Sequence, residues 1–458
     1  MSERSMQAVI LAGGLGTRMK SRKPKVLHDI LGHPMVWYVA HAVSAVDACP
    51  ILVTPASNEE FAHVFGNEAL LVVQSEQLGS GHAARCGLQA VHADYVLICS
   101  GDNPIPTSAD YAAFTRAFLD ARVDAAVLTN RMDNPGHLGR VLRGPDGSLE
   151  RIVEARDATA AELDINEVNT GIYLFRTGLL RSWLERIKPD NAQGELYLTD
   201  CMKLARQDGS KTACFLTESD WEISGVNDRV ELAAAARILG ERKLESLQRA
   251  GVTINTPQTV RIEWDVKVGD DAEILQGCCL SGNTSVGEGS VIGPDATLVN
   301  ARVGRDVSIQ ASFIQDAIIG DRCTIGPFSY VRPGCVLDTG VKIGAFCEVK
   351  ASTIGQDSKI PHLSYIGDAT IASDVNVGAG TITCNYDGFT HEKHRTIIER
   401  NVFVGANCNL VAPVAIHEGA YTATGSTITH DVPAGALAVA RCAQVDKEGW
   451  VGRKKHGE

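Results

Sequence analysis

The sequence predicts an α/β protein in which an N-terminal domain built on a parallel β-sheet is joined by a helix to a C-terminal parallel β-helix. Its 458 residues exceed what one hydrophobic core usually organises. Apolar runs alternate with helical patterns as far as about Arg229, and pairs of an aliphatic residue and a glycine then recur at a short period. These two patterns indicate two architectures in one chain.

The first half of the chain carries short apolar runs separated by amphipathic stretches. The runs include AVILAGG, ILVTPAS, DYVLICSGD, AAVLTN and NTGIYLF, and PMVWYVAHAVSAV is one of the helical stretches. This alternation is typical of a parallel sheet flanked by helices. Ligands of such sheets bind beyond the carboxyl ends of the strands, where glycine and acidic residues follow the runs here. We expect the first site along that edge.

The second half begins after a segment rich in helix formers, DRVELAAAARILGERKLESLQRA, which predicts a connector helix before Gly251. Beyond it, pairs such as Val286-Gly287 and Ile292-Gly293 are often six, twelve or eighteen residues apart, which predicts a triangular β-helix with about eighteen residues per coil. The excursion CNYDGFTHEKHRT interrupts the repeat and is expected to be functional. The predicted domains are therefore 1–228, 229–250 and 251–458.

The amino-acid composition argues against several classes of protein. A formal net charge of -12 argues against a general nucleic-acid or membrane-surface role, although local basic residues can still hold small phosphorylated molecules. The first residues carry no apolar stretch of signal-peptide length, and no run of about 18 apolar residues occurs, so we expect a cytoplasmic protein. Thirteen scattered cysteines predict reduced, mostly buried thiols.

The segment LAGGLGTR, residues 11–18, follows the first apolar run and predicts a glycine-rich turn whose backbone N–H groups can approach a nucleotide. It is neither a GxGxxG motif nor a Walker loop. Arg18 and Lys25 place two cations close enough to the turn to meet a triphosphate. A tight structural turn and a solvated basic face remain alternatives for each feature alone, and the combination favours phosphate binding.

The pattern LAxGxGTRM followed by Pro24 and Lys25 resembles the sugar-1-phosphate nucleotidyltransferase superfamily. Four further segments resemble the bifunctional N-acetylglucosamine-1-phosphate uridyltransferase/glucosamine-1-phosphate acetyltransferase family, namely QSEQLGSGHA from Gln74, Gly101-Asp102, Glu154 with Asn169-Thr170-Gly171, and Gly225-Val226-Asn227. With the repeats, the match covers nearly the whole chain. The resemblance implies a Rossmann-like nucleotidyltransferase domain, a left-handed β-helix of hexapeptide repeats, and a cytoplasmic homotrimer that uses UTP, acetyl-CoA and Mg²⁺.

The resemblance also implies roles for residues of the first half. Arg18 and Lys25 would neutralise the triphosphate, and Asp102 and Asn227 would bind Mg²⁺. The residues implied for UTP are Leu11, Gly13, Gly14, Lys25, Gln74, Gly79 and Ser80. Those implied for N-acetylglucosamine 1-phosphate are Gly139, Glu154, Asn169 and Asn227.

On the β-helix, the same resemblance implies an acetyltransferase site in which His362 is the general base, because imidazole titrates near the working pH. Glu348 is a weaker candidate to orient it. The residues implied for the amino-sugar substrate are Arg332, Lys350, Tyr365 and Asn376, with Asn385 also near the sugar. Those implied for acetyl-CoA are Ala379, Asn385, Tyr386, Lys393, Ala406, Thr424 and Arg441.

Two departures in each half of the chain and two rival interpretations accompany this assignment. The family often has alanine at Gly13 and tyrosine at Ser100, while Ala406 and Thr424 stand where serine and alanine are common. One rival is another nucleotidyltransferase with a regulatory β-helix, which would lack the set around His362. The other is an assembly protein with degenerate sites, against which Lys25, Asp102 and Asn227 argue.

Overall fold

The computed structural model describes residues 5–14, 16–56, 59–144, 147–219, 221–222 and 224–455. The chain divides into two compact units, Met1–Leu239 and Gly240–Glu458. The predicted α/β class and its two architectures are confirmed: the first unit contains a Rossmann-like sheet and the second a left-handed parallel β-helix.

Within the described residues, the first unit is built on a nine-stranded mixed sheet. In sheet order its strands are β11 (Thr212–Leu216), β7 (Ala125–Arg131), β10 (Glu167–Arg176), β6 (Tyr95–Ser100), β1 (Met6–Leu11), β4 (Ile51–Thr54) and β5 (Leu70–Val73), with β8 (Arg140–Arg143) and β9 (Leu149–Val153) attached through β10. A separate short hairpin is formed by β2 (Asp29–Ile30) and β3 (His33–Pro34).

Helices accompany this sheet in the alternating order that the apolar runs predicted. They are α1 (Met35–Val43), α2 (Glu59–Phe65), α3 (Ser80–Leu88), α4 (Ser108–Ala121), α5 (Ala160–Leu163), α6 (Thr177–Leu184) and α7 (Asp200–Gln207), with 3₁₀ turns at Thr17–Met19 and Lys25–Leu27. The predicted connector is helix α8, Arg229–Arg249, and the boundary between the two compact units falls inside it.

Strand directions differ from the predicted parallel sheet at β10 and at the attached strands β8 and β9, which pair antiparallel. β1 runs parallel to β4 and β6, but β10, which contains the run NTGIYLF, runs antiparallel to both β6 and β7. Leu174 and Phe175 of β10 are completely buried. A strand segment that is buried on both faces is apolar whether it runs parallel or antiparallel to its neighbours. Composition alone therefore does not reveal its direction.

The register of β1 and β6 determines where the first site lies. Leu11 at the end of β1 pairs with Ser100 at the end of β6, and the Gly101 N–H donates to the Leu11 carbonyl at 2.9 Å. The glycine-rich turn after β1 and Asp102 after β6 therefore begin side by side at one sheet edge.

The second unit is a triangular β-helix with three parallel faces. The first face contains Arg261–Ile262, Cys279–Ser281, Thr297–Val299, Phe313–Gln315, Tyr330–Val331, Glu348–Lys350, Tyr365–Gly367, Ile382–Cys384, Asn409–Val411 and Thr427–Ile428. The second contains Lys267–Val268, Ser285–Val286, Arg302–Val303, Ile318–Ile319, Val336–Leu337, Thr353–Ile354, Ala369–Ile371, Thr396–Ile398 and Val414–Ile416. The third contains Glu273–Ile274, Val291–Ile292, Ser308–Ile309, Thr324–Ile325, Lys342–Ala345, Lys359–His362, Asn376–Val377, Phe403–Val404, Tyr421–Thr422 and Leu437–Ala438.

The aliphatic residues of the repeat form the interior of this β-helix. Leu280, Leu298 and Ile314 stack on successive coils of the first face, and each is completely buried. Coil length varies: Arg261 pairs with Cys279 eighteen residues on, whereas Thr297 pairs with Phe313 sixteen residues on. Stacking thus preserves the inward aliphatic position while the corners absorb the change in length.

The last element of the described residues is helix α9, Trp450–Lys455, which is exposed. A search of the described residues found no helix of the length and apolar character needed to cross a membrane.

Candidate active sites

A cavity of about 440 Å³ lies at the ends of β1 and β6. Predicted residues that line it are Leu11, Gly13, Gly14, Lys25, Gln74, Gly79, Ser80 and Asp102; Gly16, Thr17, Val26, Gln77, Ala83, Ser100 and Glu195 complete the lining. Arg18 is exposed in the adjoining 3₁₀ turn and is not among the lining residues, while Leu15 of the glycine-rich segment lies outside the described residues. The structure thus brings together the predicted nucleotide set except Arg18.

At the floor of this cavity, the side chain of Gln74 packs closely against Gly13. Gln74 is only 2% exposed, and its Nε2 donates to the Gly79 carbonyl at 3.3 Å. A Cβ at position 13 would collide with Gln74 Oε1. Gly79 has φ +103, and a Cβ there would lie 2.6 Å from the Leu196 carbonyl oxygen. Glycine is therefore required at position 79, where backbone lies close and φ is positive, whereas Gly13 leaves room for the polar carboxamide of Gln74 at the cavity wall.

Lys25 joins the two predicted metal ligands. Its Nζ contacts Asp102 Oδ2 and donates to Asn227 Oδ1 at 3.2 Å, and Ser100 Oγ donates to Asp102 Oδ1 at 2.6 Å. Burial opposes ionisation of Asp102, but the charge of Lys25 and hydrogen bonds from Lys25 and Ser100 hold the pKa of this carboxyl below its ordinary value. Asp102 is consequently an ionised carboxylate.

The donor set around Lys25 also fits a divalent cation. A carboxylate oxygen of Asp102 and an amide oxygen of Asn227 already face the same positive charge. Oxygen donors suit Mg²⁺, which usually takes only one or two carboxylates from the protein and fills its other positions with water and phosphate. Asp102 and Asn227 therefore fit the role predicted for them.

The residues predicted for the amino sugar form a second group. The Asn169 N–H donates to the Gly139 carbonyl at 2.9 Å, and a Cβ on Gly139 would lie 3.5 Å from Glu154 Oε2. Burial, reinforced by neighbouring carboxylates, raises the pKa of Glu154. Asn169 Oδ1 accepts from the N–H of Gly171, where a Cβ would be 3.6 Å from that of Ser100. This group thus lies beside Ser100, which hydrogen-bonds to Asp102.

Three residues at this site were not assigned roles from the sequence. Ser100 hydrogen-bonds to Asp102, His137 Nε2 lies 2.7 Å from Asn227 Nδ2, and Glu231 Oε2 accepts from the Asn227 N–H at 2.6 Å. The sequence carries a signal for Glu231, because Asp228 followed three residues later by Glu231 has the pattern of a helix-capping box. His137 carries no comparable local signal.

On the first face of the β-helix, polar side chains from consecutive coils meet. Arg332 Nη1 donates to Glu348 Oε1 at 2.7 Å, and Lys350 Nζ lies 3.8 Å from Asp368 Oδ2. Asn385 Nδ2 donates to the same Asp368 oxygen. Of the described residues, none accepts a hydrogen bond from the buried Nε of Arg332. The cluster thus presents two cations, one of them with an unused donor.

Tyr365 belongs to this cluster and His362 lies beside it in the chain. Tyr365 Oη accepts from Asn385 Nδ2 at 3.4 Å, and Tyr365 pairs with Glu348 on the neighbouring coil. His362 is exposed at the end of its third-face strand, and its ring forms no hydrogen bond within the described part of the chain. Glu348 is bonded to Arg332, not to His362.

The residues predicted for acetyl-CoA lie in two places: at one corner of successive coils of the β-helix, and in the excursion. The Asn407 N–H donates to the Ala379 carbonyl at 2.7 Å and the Gly425 N–H to the Ala406 carbonyl at 2.8 Å, which aligns Ala379, Ala406 and Thr424 on successive coils. Arg441 Cδ would be 3.8 Å from a Cβ on Gly425. The corner thus carries four of the residues predicted for acetyl-CoA.

The other acetyl-CoA candidates lie in the excursion, and Asn376 lies apart from them. Tyr386 Oη is 2.7 Å from His391 Nδ1, and Lys393 lies beside Lys350, whose proximity lowers the pKa of Lys393. Asn376 pairs with Lys359 on the third face.

Comparison with known proteins covers both units. Residues 8–164 match the family model of the MobA-like NTP transferase domain, and residues 262–343 match that of the GMPPB C-terminal domain. The bifunctional protein GlmU of Heliobacterium modesticaldum is 44% identical over 98% of this chain and 98% of its own length. Its namesake from Carboxydothermus hydrogenoformans is 44% identical over 97% and 100%, and that of Mycolicibacterium vanbaalenii 42% over 99% and 94%.

Among solved structures, the inositol-1-phosphate CTP transferase from T. maritima is similar to 53% of this chain over 98% of its own length, at 18% identity and with a TM-score of 0.44. The chain belongs to the GlmU family of bifunctional proteins.

Proposed function

We propose that this chain acetylates glucosamine 1-phosphate with acetyl-CoA and then transfers UMP from UTP to the resulting N-acetylglucosamine 1-phosphate, releasing pyrophosphate and UDP-N-acetylglucosamine, a cell-wall precursor. The observation that carries the proposal is the meeting of Lys25, Asp102 and Asn227 at one sheet edge, in a chain that presents a second polar cluster on its β-helix. Residues 1–228 would carry out uridyl transfer, 251–458 acetyl transfer, and 229–250 would connect them.

In uridyl transfer, an oxygen of the sugar phosphate attacks the α-phosphorus of UTP, and the bond to pyrophosphate breaks. A phosphate monoester with a second pKa of about 6 is largely ionised at neutral pH, so the protein need not remove a proton. Lys25 neutralises charge on the triphosphate, the turn after Leu11 supplies backbone N–H donors, and Gln74 faces the base. Glu154 and Asn169 accept and donate hydrogen bonds to the amino sugar.

Mg²⁺ held by Asp102 and Asn227 would supply further positive charge to the phosphates. The carboxylate of Asp102 is kept ionised for this role by Lys25 and Ser100.

In acetyl transfer, the amine of glucosamine 1-phosphate attacks the thioester carbonyl, the C–N bond forms, and the C–S bond breaks to release CoA. His362 takes the proton that the amine must lose. Its exposed ring, without a hydrogen-bond partner among the described residues, is available to substrate. Arg332 and Lys350 hold the sugar phosphate, and the Arg332 side chain, which is 37% exposed, is accessible to it.

The test uses the whole chain with Mg²⁺, glucosamine 1-phosphate, acetyl-CoA and UTP, and we expect UDP-N-acetylglucosamine. His362→Ala should abolish CoA release yet leave uridyl transfer from N-acetylglucosamine 1-phosphate intact. His430→Ala is the matched control, because His430 is an exposed histidine of the same β-helix. Absence of CoA release by the unaltered chain would refute the acetyltransferase half, and loss of both activities in His362→Ala would refute the division of labour.

We also propose that the chain forms a homotrimer through its β-helix and works in the cytoplasm. Phe328, Phe346 and Leu363 occupy the same corner of consecutive coils and are each about 60% exposed, which would favour burial against another copy. All thirteen cysteines are free, as expected in a reducing compartment.

A further inference from the structure

Asn227 has three hydrogen-bonding neighbours besides any substrate. Its Oδ1 accepts from Lys25 Nζ at 3.2 Å, its Nδ2 lies 2.7 Å from His137 Nε2, and its backbone N–H donates to Glu231 Oε2 at 2.6 Å. A side-chain amide is useful as a cation ligand only when its oxygen faces the cation, because its nitrogen carries two donors and no free lone pair. The orientation of this amide is therefore decisive for its proposed role.

Lys25 and His137 both favour the same orientation. Lys25 is a pure donor and selects the oxygen of Asn227, and an imidazole nitrogen with a free lone pair selects its nitrogen. When a cation and a triphosphate are bound, however, the Lys25 ammonium can turn to the phosphates and its hydrogen bond to Asn227 can break. The contact with His137 lies on the opposite end of the amide and can persist.

The surroundings of His137 favour the tautomer that this contact needs. Nδ1 of His137 faces Glu231 Oε1 at 3.7 Å. A proton on Nδ1 is favoured by the adjacent carboxylate, which leaves the lone pair of Nε2 to accept from the Asn227 amide. Glu231 thus acts on both partners, since its other oxygen binds the Asn227 backbone.

A buried arginine, Arg140, holds the loop that contains His137. Arg140 is 3% exposed and donates to the carbonyls of Gly136, at 3.1 Å, and Leu138. The carbonyl of Gly139, in the same loop, accepts from the Asn169 backbone. One short loop thus contacts both the amino-sugar group and the proposed cation ligand.

We propose that His137 is a positioning residue of the uridyltransferase site, which holds the Asn227 amide with its oxygen toward Asp102 and so sets the affinity of the site for its divalent cation. The inference rests on the proposed uridyl transfer and deepens it. His137 touches neither reacting phosphate nor sugar in this scheme; it acts through Asn227. Loss of such a partner to a metal ligand typically weakens metal affinity about 10- to 100-fold.

The experiment measures binding of Mn²⁺ to the whole chain, with UDP-N-acetylglucosamine present, by the EPR signal of free Mn²⁺. We expect His137→Ala to raise the Kd at least about tenfold. His137→Gln should restore it to within about threefold, because the Gln carbonyl can also accept from the Asn227 amide. His63→Ala is the matched control, since His63 is an exposed histidine of the same unit.

Kinetics then separate positioning from folding. The Mg²⁺ concentration for half-maximal uridyl transfer should rise in His137→Ala by the same factor as the Mn²⁺ Kd, while CoA release and the thermal midpoint stay unchanged. An unaltered Mn²⁺ Kd in His137→Ala, or a Gln variant as weak as the Ala variant, would overturn the inference. Weakened Mn²⁺ binding in His137→Ala together with an unaltered chain that makes no UDP-N-acetylglucosamine would uphold the inference and refute the proposed function.

Discussion

Replacement of Lys25 by alanine is the perturbation with the largest expected effect on uridyl transfer. The Lys25 ammonium contacts Asp102 and Asn227, and its side chain is only 12% exposed. At so low an exposure, water replaces a lost ammonium poorly, and the charge of the triphosphate is left without a fixed partner. Removal of one preorganised donor of this kind costs about 3 to 4 kcal/mol in the transition state, or roughly 10²- to 10³-fold in kcat.

The assay follows pyrophosphate release from UTP and N-acetylglucosamine 1-phosphate at saturating Mg²⁺. Lys20→Ala is the matched control, because Lys20 is an exposed lysine of the same segment, outside the cavity lining. Asp102 loses its partner in Lys25→Ala, so the thermal midpoint must be measured in parallel and the assay run well below it. A fall in kcat of less than tenfold in folded Lys25→Ala would show that Lys25 does not neutralise the reacting phosphates.

Three further changes test other parts of the scheme. Burial raises the pKa of Glu154, so ionisation of this carboxyl destabilises the folded state as the pH rises. Glu154→Gln should therefore raise the thermal midpoint near pH 8 but not near pH 4. Glu150→Gln is the control, because Glu150 is exposed. Arg332→Ala should raise the KM for glucosamine 1-phosphate roughly tenfold or more by loss of a charged donor, and an unchanged KM in an acetyltransferase assay would contradict this. Phe346→Glu should lower the sedimentation mass from trimer to monomer, and an unaltered mass would place the interface elsewhere.

The features that could be predicted from the sequence are those encoded within one short stretch. The glycine-rich turn, the strand-end Asp102 and the aliphatic repeat each follow from local pattern, and the parallel register of β1 and β6 then carries the first two to one edge. The full-length relatives confirm the family predicted from these motifs and support its two activities. The individual residue roles stay predictions, although the cavity does gather Lys25, Gln74 and Asp102.

Features that depend on contacts between distant segments could not be predicted in the same way. The antiparallel direction of β10 leaves no trace in its buried apolar run, residues 172–175. The sequence offers Glu348 as a weaker candidate to orient His362, but stacking of coils brings Glu348 to Arg332 instead, because Glu348 and Arg332 share a face and His362 lies on another. His137 meets Asn227 across 90 residues of chain, a pairing that no local pattern encodes.

The two departures from the family pattern near the nucleotide site acquire physical reasons from the structure. Gly13, where alanine is common, leaves room for Gln74 Oε1, which a Cβ at this position would displace. Ser100, where tyrosine is common, places a short hydroxyl 2.6 Å from the carboxylate two residues later. A tyrosine hydroxyl stands at the far end of a rigid ring and cannot make that bond to a residue so close in sequence. Ser100 thus supplies a hydrogen bond that helps to keep the Asp102 carboxylate ionised.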